Sequence, residues 1–330
     1  MTTPTPAMRR AMADAEVGDD AYGEDPTVNR LEARAAELLG KDLALFVPSG
    51  TMGNQLALRL LARPGSEVVC AERAHVYRYE GAAAARNAGV QLRPLADPDG
   101  VLDPAQLDDV AANQDHHLPP ISAVAIENTH MPASGRPWRV DELDALAKVA
   151  RRHQVGIHCD GARIWNAAAA VGATPAQLAT HCDTVMFCLS KGLGAPVGSL
   201  LCGSLTVMTS AREERARLGG GMRQAGVIAA AGLVALDEMV ERLPEDHARA
   251  RRLADALADR YPGSIDPETV KTNIVCAPLD RLPDKIVGRL EEHGVRCGTI
   301  DAKTARFVTH KDVDDDGIDR AITAFEALTR

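Results

Sequence analysis

The chain has 330 residues, 45% of them hydrophobic and 25% charged, enough apolar material for one large domain or two. Its formal charge is −9, from 37 basic and 46 acidic side chains with no basic run, which argues against a nucleic-acid partner. No apolar run is long enough to cross a bilayer, and the N-terminus MTTPTPAMRRAMADAEVGDD is polar with no signal-peptide core, so no membrane association is expected.

Seven cysteines, an odd number without a C-x-x-C pair, sit mostly in apolar contexts such as Cys70, Cys159, Cys188, Cys202 and Cys276. They read as reduced thiols in a cytoplasmic protein, and no metal is expected.

Ala15–Pro26, AEVGDDAYGEDP, reads as a solvated acidic loop. Thr27 is placed to cap the following helix, with Leu31, Ala35, Leu38 and Leu39 inward and Gly40 ending it. Leu43–Val47 is a strand. Pro48-Ser49-Gly50-Thr51-Met52-Gly53-Asn54 then leads into a helical pattern through Leu56, Leu58, Leu60 and Leu61. A strand, a small-residue turn and a helix start leave backbone N–H groups at a positive helix end, which suits a phosphate; an ordinary capped helix start reads the same.

Glu67–Cys70 is a strand followed by His75, either a core histidine or one that stacks on a flat ring. Val90–Leu92 is a strand and Pro104–Ala112 a helix. Ile121–Glu127, ISAVAIE, is apolar enough for a central strand and runs into Asn128-Thr129-His130. Polar groups just past a strand's C-terminal end are where open α/β sheets bind ligands. Val140–His153 is an amphipathic helix.

Gln154–Arg163, QVGIHCDGAR, places Asp160 at a strand end. A buried carboxylate needs a cationic partner, and a protonated pyridine nitrogen is one. Asp160 is otherwise an N-cap, since Gly161–Val171 looks helical. Thr184–Leu189 is a strand that breaks into Ser190, Lys191 and a loop carrying Gly192, Gly194, Pro196 and Gly198. An ammonium at the end of an apolar strand is costly unless it is paired or chemically used. Desolvation lowers a lysine's pKa, and the free amine attacks aldehydes. Lys191 is therefore either a surface lysine or a Schiff-base lysine for pyridoxal 5′-phosphate (PLP). It follows Asp160 by 191 − 160 = 31 residues, room for one helix and one strand, which brings the two to neighbouring strand ends. Together they favour the PLP reading.

Leu218–Gln224, LGGGMRQ, precedes an alanine-rich helix, Ala225–Val240. Its glycines suggest close backbone approach or a subunit contact. Arg223 either reaches a phosphate or a partner subunit, or is merely exposed. From Pro244, helices (His247–Asp259, Asp284–Gly294) alternate with short strands (Thr272–Cys276, Arg306–Thr309), a smaller α+β domain. Arg306 suits a bidentate contact to a substrate carboxylate, or lies on the surface.

AEVGDDAYGEDPTVNRLE, LFVPSGTMGNQLAL, ENTH, HCDGARIWNAA, CLSKGLGAPVGS and LGGGMRQAG, taken together and in order, resemble the low-specificity L-threonine aldolases. The resemblance covers nearly the whole chain. It implies an α/β fold of the PLP-transferase type I class: a mixed, mostly parallel seven-stranded sheet between helices over residues 20–235, then a small C-terminal domain over 236–330 with segment 1–19 near it. It implies PLP as cofactor, with Lys191 as the covalent lysine, Asp160 on the ring nitrogen and Arg163 near the phenolic oxygen. His75 matches the ring-stacking histidine, His130 a second active-site histidine, and Gly50 and Thr51 the phosphate turn. Arg223 matches an arginine that reaches a neighbouring subunit's phosphate, and Arg306 the substrate-carboxylate arginine. The implied assembly is a homo-oligomer, a dimer of dimers with shared active sites.

The implied reaction is retro-aldol cleavage of L-threonine or L-allo-threonine to glycine and acetaldehyde. His75, His130 or a water is the base. The alternatives are β-elimination on another β-substituted amino acid, and a non-catalytic PLP-binding protein. Two departures stand out. Family members usually begin a few residues earlier with a Leu-Arg-Ser-Asp-Thr stretch, and Ala216, next to Arg217, occupies a usual lysine position.

Overall fold

A computed structural model describes residues 1–113 and 115–328. Its strands are β1 Leu43–Val47, β2 Glu67–Ala71, β3 Gln91–Leu95, β4 Ile121–Glu127, β5 Gly156–Asp160, β6 Thr184–Cys188, β7 Ser199–Gly203, β8 Ile274–Pro278, β9 Gly298–Asp301 and β10 Thr304–Val308. The first seven form one sheet in the order β1-β7-β6-β5-β4-β2-β3. β7 runs antiparallel to both its neighbours, while β6, β5, β4, β2 and β3 run parallel. This is the mixed, mostly parallel α/β sheet expected from the sequence. Every residue of β2, β6 and β7 is buried. Strands covered on both faces need continuous apolar sequence, which is why VMFC and SLLC show no alternation.

β7 and β9 have no counterpart in the sequence reading. β7 follows the glycine-rich loop directly, and Gly198 makes that possible. Its φ is +108°, and a Cβ there would lie 2.5 Å from the Phe46 ring. The chain thus turns back between β6 and β7, and Leu189 N–H donates to Gly198 C=O.

Asp25, not Thr27, caps helix Pro26–Leu39: its Oδ1 accepts from Thr27 N–H and Val28 N–H, and Pro26 takes the first helical position. Thr27 lies inside the helix, where its hydroxyl donates to Glu16 C=O. An unexpected first helix, Pro6–Ala13, buries Met8 and packs against helix Gly226–Glu238. Ahead of it, Thr3 N–H donates to Asp312.

β8, β10 and β9 form a second, antiparallel sheet. Two buried apolar clusters flank the main sheet, the larger reaching Leu243 and the smaller built on Leu45, Val47, Met186 and Leu201, and a third, starting at Ala250, accompanies the second sheet. Leu243 and Ala250 both belong to helix Leu243–Arg260. The change from one core to the other therefore falls within this helix. Thr329 and Arg330 lie outside the described residues.

Candidate active site

Parallel strands deliver their C-terminal ends to one edge of a sheet. Here β4 ends in Glu127 and β5 in Asp160, paired in register. β6 ends at Cys188, three residues before Lys191, and His75 follows β2.

Asp160 is buried. Its Oδ2 accepts from Asn54 Nδ2–H at 2.8 Å and its Oδ1 from Ala162 N–H at 3.1 Å. Asn54 belongs to helix Gly50–Leu61, whose cap is Ser49. Gly50 and Thr51 open that helix, half-buried and exposed respectively. Gly50 presses on β6; a Cβ there would be 3.0 Å from Cys188 Sγ.

His75 is half-buried. Its Nδ1 lies 2.9 Å from Glu80 Oε1, and its backbone N–H donates to Glu127 Oε2 at 2.9 Å. The Glu80 hydrogen bond, aided by the negative charges of Asp160 and Glu127 and opposed by burial, raises the His75 pKa. His130 is buried, with Nε2 2.7 Å from Asp97 Oδ2 and Nδ1 3.5 Å from Glu127 Oε2. Burial pushes the Asp97 carboxyl up, but His130 and Arg73 outweigh it and hold it below its ordinary value.

Lys191, Arg163 and Arg306 line one cleft of about 680 Å³, together with Ser190, Asn273 and His310. Arg306 sits on β10, so the second sheet supplies part of the cleft wall. Asp160, His75 and His130 are not in its wall. Arg163 feels the charges of both groups, those of Arg306 and of Glu127 and Asp160. Desolvation lowers its pKa, and its Nε is buried with no hydrogen-bond partner. A buried guanidinium donor without an acceptor is a deficit that a ligand oxygen would meet.

Arg223 is not brought to this site within the chain. It is 74% exposed, and its Nε lies 2.7 Å from Asp19 Oδ2. Arg217, beside Ala216, pairs with Glu213 and Glu214 on its own helix. The sequence reading missed Asn54, Glu80, Glu127, Asp97 and His158 as site residues. Glu127 was in view as the first letter of ENTH. Glu80, five residues past His75, carried no pattern of its own.

A sequence model of the beta-eliminating lyase family matches residues 1–280. A low specificity L-threonine aldolase of Escherichia coli O157:H7 is 40% identical over 319 residues, covering 95% of this chain and 92% of that protein. A threonine aldolase structure from Leishmania major superposes with a TM-score of 0.84 at 20% identity, covering 98% and 96% of the two chains. A structure of SPT with PLP superposes with a TM-score of 0.76 at 18% identity, covering 97% and 82%. The chain belongs to the beta-eliminating lyase family.

Proposed function

We propose that this protein is a carbon–carbon lyase that cleaves L-threonine and L-allo-threonine to glycine and acetaldehyde, using PLP. The observation that carries the reading is the buried, partnerless Nε of half-buried Arg163, which lines the same cleft as Lys191 and feels the charge of Asp160. A lysine amine, a carboxylate and an unpaired guanidinium donor match the aldehyde, ring nitrogen and ring oxygen of PLP. When bound, PLP supplies a ring that takes up the electron pair released at Cα when the Cα–Cβ bond breaks.

The chain's own residues do the rest. Lys191 Nζ would be the amine that holds the cofactor. Asp160 keeps a proton on the ring nitrogen; its hydrogen bonds from Asn54 and Ala162 hold the carboxylate in place. Arg163 Nε–H, which has no acceptor in the chain, would be the donor for the ring oxygen. Gly50 and Thr51 offer backbone N–H groups to the phosphate at the helix start. Arg306 pairs with the substrate carboxylate. His75 takes the β-hydroxyl proton: its Nδ1 is engaged by Glu80, its side chain is 32% exposed, and Nε2 is the ring nitrogen left for substrate. His130, 1% exposed between Asp97 and Glu127, holds its position beside it.

The assembly we propose is a homotetramer, a dimer of dimers, in which the exposed Arg223 serves a second copy. We place the protein in the cytoplasm, since all seven cysteines are unpaired thiols. No helix among the described residues is long and apolar enough to cross a membrane.

The test is a visible spectrum and an acetaldehyde assay on L-threonine and L-allo-threonine, beside a Lys191→Ala variant. A yellow, aldehyde-releasing wild type and a colourless, silent variant support the reading. Release of a keto acid and ammonia instead would assign β-elimination, and a colourless wild type that takes up no PLP would sink the proposal.

A further inference from the structure

Glu80 carries a buried carboxylate whose side chain is fully shielded from solvent. Three donors converge on it. His75 Nδ1 at 2.9 Å and Asn54 Nδ2 at 2.8 Å share Oε1, and Gln55 Nε2 lies 2.6 Å from Oε2. Asn54 Nδ2 spends its other proton on Asp160 Oδ2, also at 2.8 Å. One amide nitrogen therefore bridges the carboxylate behind His75 and the carboxylate at the end of β5.

The orientation of that amide follows from its neighbours. Ionised Glu80 and Asp160 accept only, so the nitrogen of Asn54 faces them and its oxygen faces away. The oxygen is 3.0 Å from His158 Nε2, so His158 donates from Nε2 and accepts at Nδ1 from the Thr184 hydroxyl, also 3.0 Å away. His158 is fully buried and its pKa is pushed down to about 4 by desolvation, which fits this neutral tautomer. The chain of donors runs from Thr184 through His158 and Asn54 to both carboxylates, and each member's protons are accounted for.

We propose that Glu80 is a positioning residue that holds the proton of His75 on Nδ1 and, through Asn54, ties His75 to Asp160. The proposal rests on the PLP reading for what His75 and Asp160 do, and on the geometry alone for how they are held. With Nδ1–H committed to Glu80, the lone pair of neutral His75 stands on Nε2. The carboxylates of Glu80, Asp160 and Glu127 are the charged groups that face this histidine, and all three favour its charged form. The Tyr79 ring packs on the same imidazole, 5.6 Å between centroids.

Glu80→Gln keeps the shape and removes the charge. The variant has a ready accommodation: Gln55 Oε1 is buried without a partner and accepts from the new amide once the Gln55 amide turns over. Two measurements on the holoenzyme test the proposal. In wild type labelled with nitrogen-15 histidine, the His75 resonance, assigned by its loss in His75→Gln, should show neutral imidazole protonated on Nδ1. A proton on Nε2 would overturn the proposal without any Glu80 variant. In Glu80→Gln, the His75 titration and the rising limb of the kcat/KM profile with pH should both move down by about one pH unit. Both staying in place would also overturn it. A wild type that releases no aldehyde would remove the proposed reaction, and the resonance titration would still decide the role of Glu80.

Discussion

Lowering the pH should destabilise this fold through His158 before any ordinary carboxylate is protonated. His158 is fully buried at Asn54 and Thr184, and desolvation holds its pKa at about 4, below the ordinary 6.5 of a histidine. Its folded value is depressed, so the contribution is intact above pH 6.5 and is lost as the pH falls towards 4. At pH 5 an unfolded chain binds this proton almost fully and the folded chain hardly at all. The linkage integral over that gap costs about 2 kcal/mol, against less than about 0.2 kcal/mol at pH 7. His75 has the opposite sign: its folded value is raised, so its contribution is complete below 6.5 and fades as the pH rises through that raised value. A comparison with His158→Gln separates the two. Gln keeps a donor towards Asn54 but cannot titrate. Wild type should lose about 1.8 kcal/mol more than the variant between pH 7 and pH 5, read by denaturant unfolding of the holoenzyme. Equal losses in the two proteins would refute a neutral, buried His158.

Three further outcomes follow from single contacts. Arg306→Ala should raise the KM for L-threonine about ten- to hundred-fold while leaving the bound cofactor's spectrum in place, because charge-assisted hydrogen bonds to the carboxylate are lost; an unchanged KM removes Arg306 from substrate binding. Arg215→Ala should cost about 3–5 kcal/mol in denaturant unfolding, since buried Arg215 donates to Asp20 Oδ2 at 2.6 Å and Phe46 C=O at 2.7 Å, leaving both buried acceptors short of a donor. Gly198→Ala should lower stability by about 1–3 kcal/mol, as its new Cβ meets the Phe46 ring in a left-handed backbone; an unshifted melt would show that the loop re-routes freely.

The main sheet was readable where strands are buried on both faces. β1 and β4 run over the expected spans, and β6 ends one residue earlier than expected, because LALFV, ISAVAIE and TVMFC are apolar runs bounded by turn residues. β7 was not readable. Five residues after a loop full of glycine look like the loop's tail, and only pairing with both β1 and β6 makes SLLCG a strand. Asp160 stands out in the sequence because it closes an apolar strand with a charge, and Lys191 because it follows another within three residues. Arg223 was legible only as a chemical possibility, and within the chain it pairs with Asp19.

Asn54 and Glu80 mark where sequence reading stops, yet part of their signal was on the page. In β5 the sequence GIHCD sets His158 and Asp160 two apart, so they share one face of the strand while Ile157 and Cys159 share the other. Both reach the same side chain: Asn54 Oδ1 pairs with His158 and Asn54 Nδ2 with Asp160. Two polar side chains on one buried strand face require polar partners on whatever covers them. The covering helix offers Asn54 and Gln55 among leucines, and those two amides in turn fill Glu80. The requirement is legible as soon as the strand is placed. The identity of the partner is not, because Asn54 meets Asp160 across 106 residues of chain and only the fold brings them together.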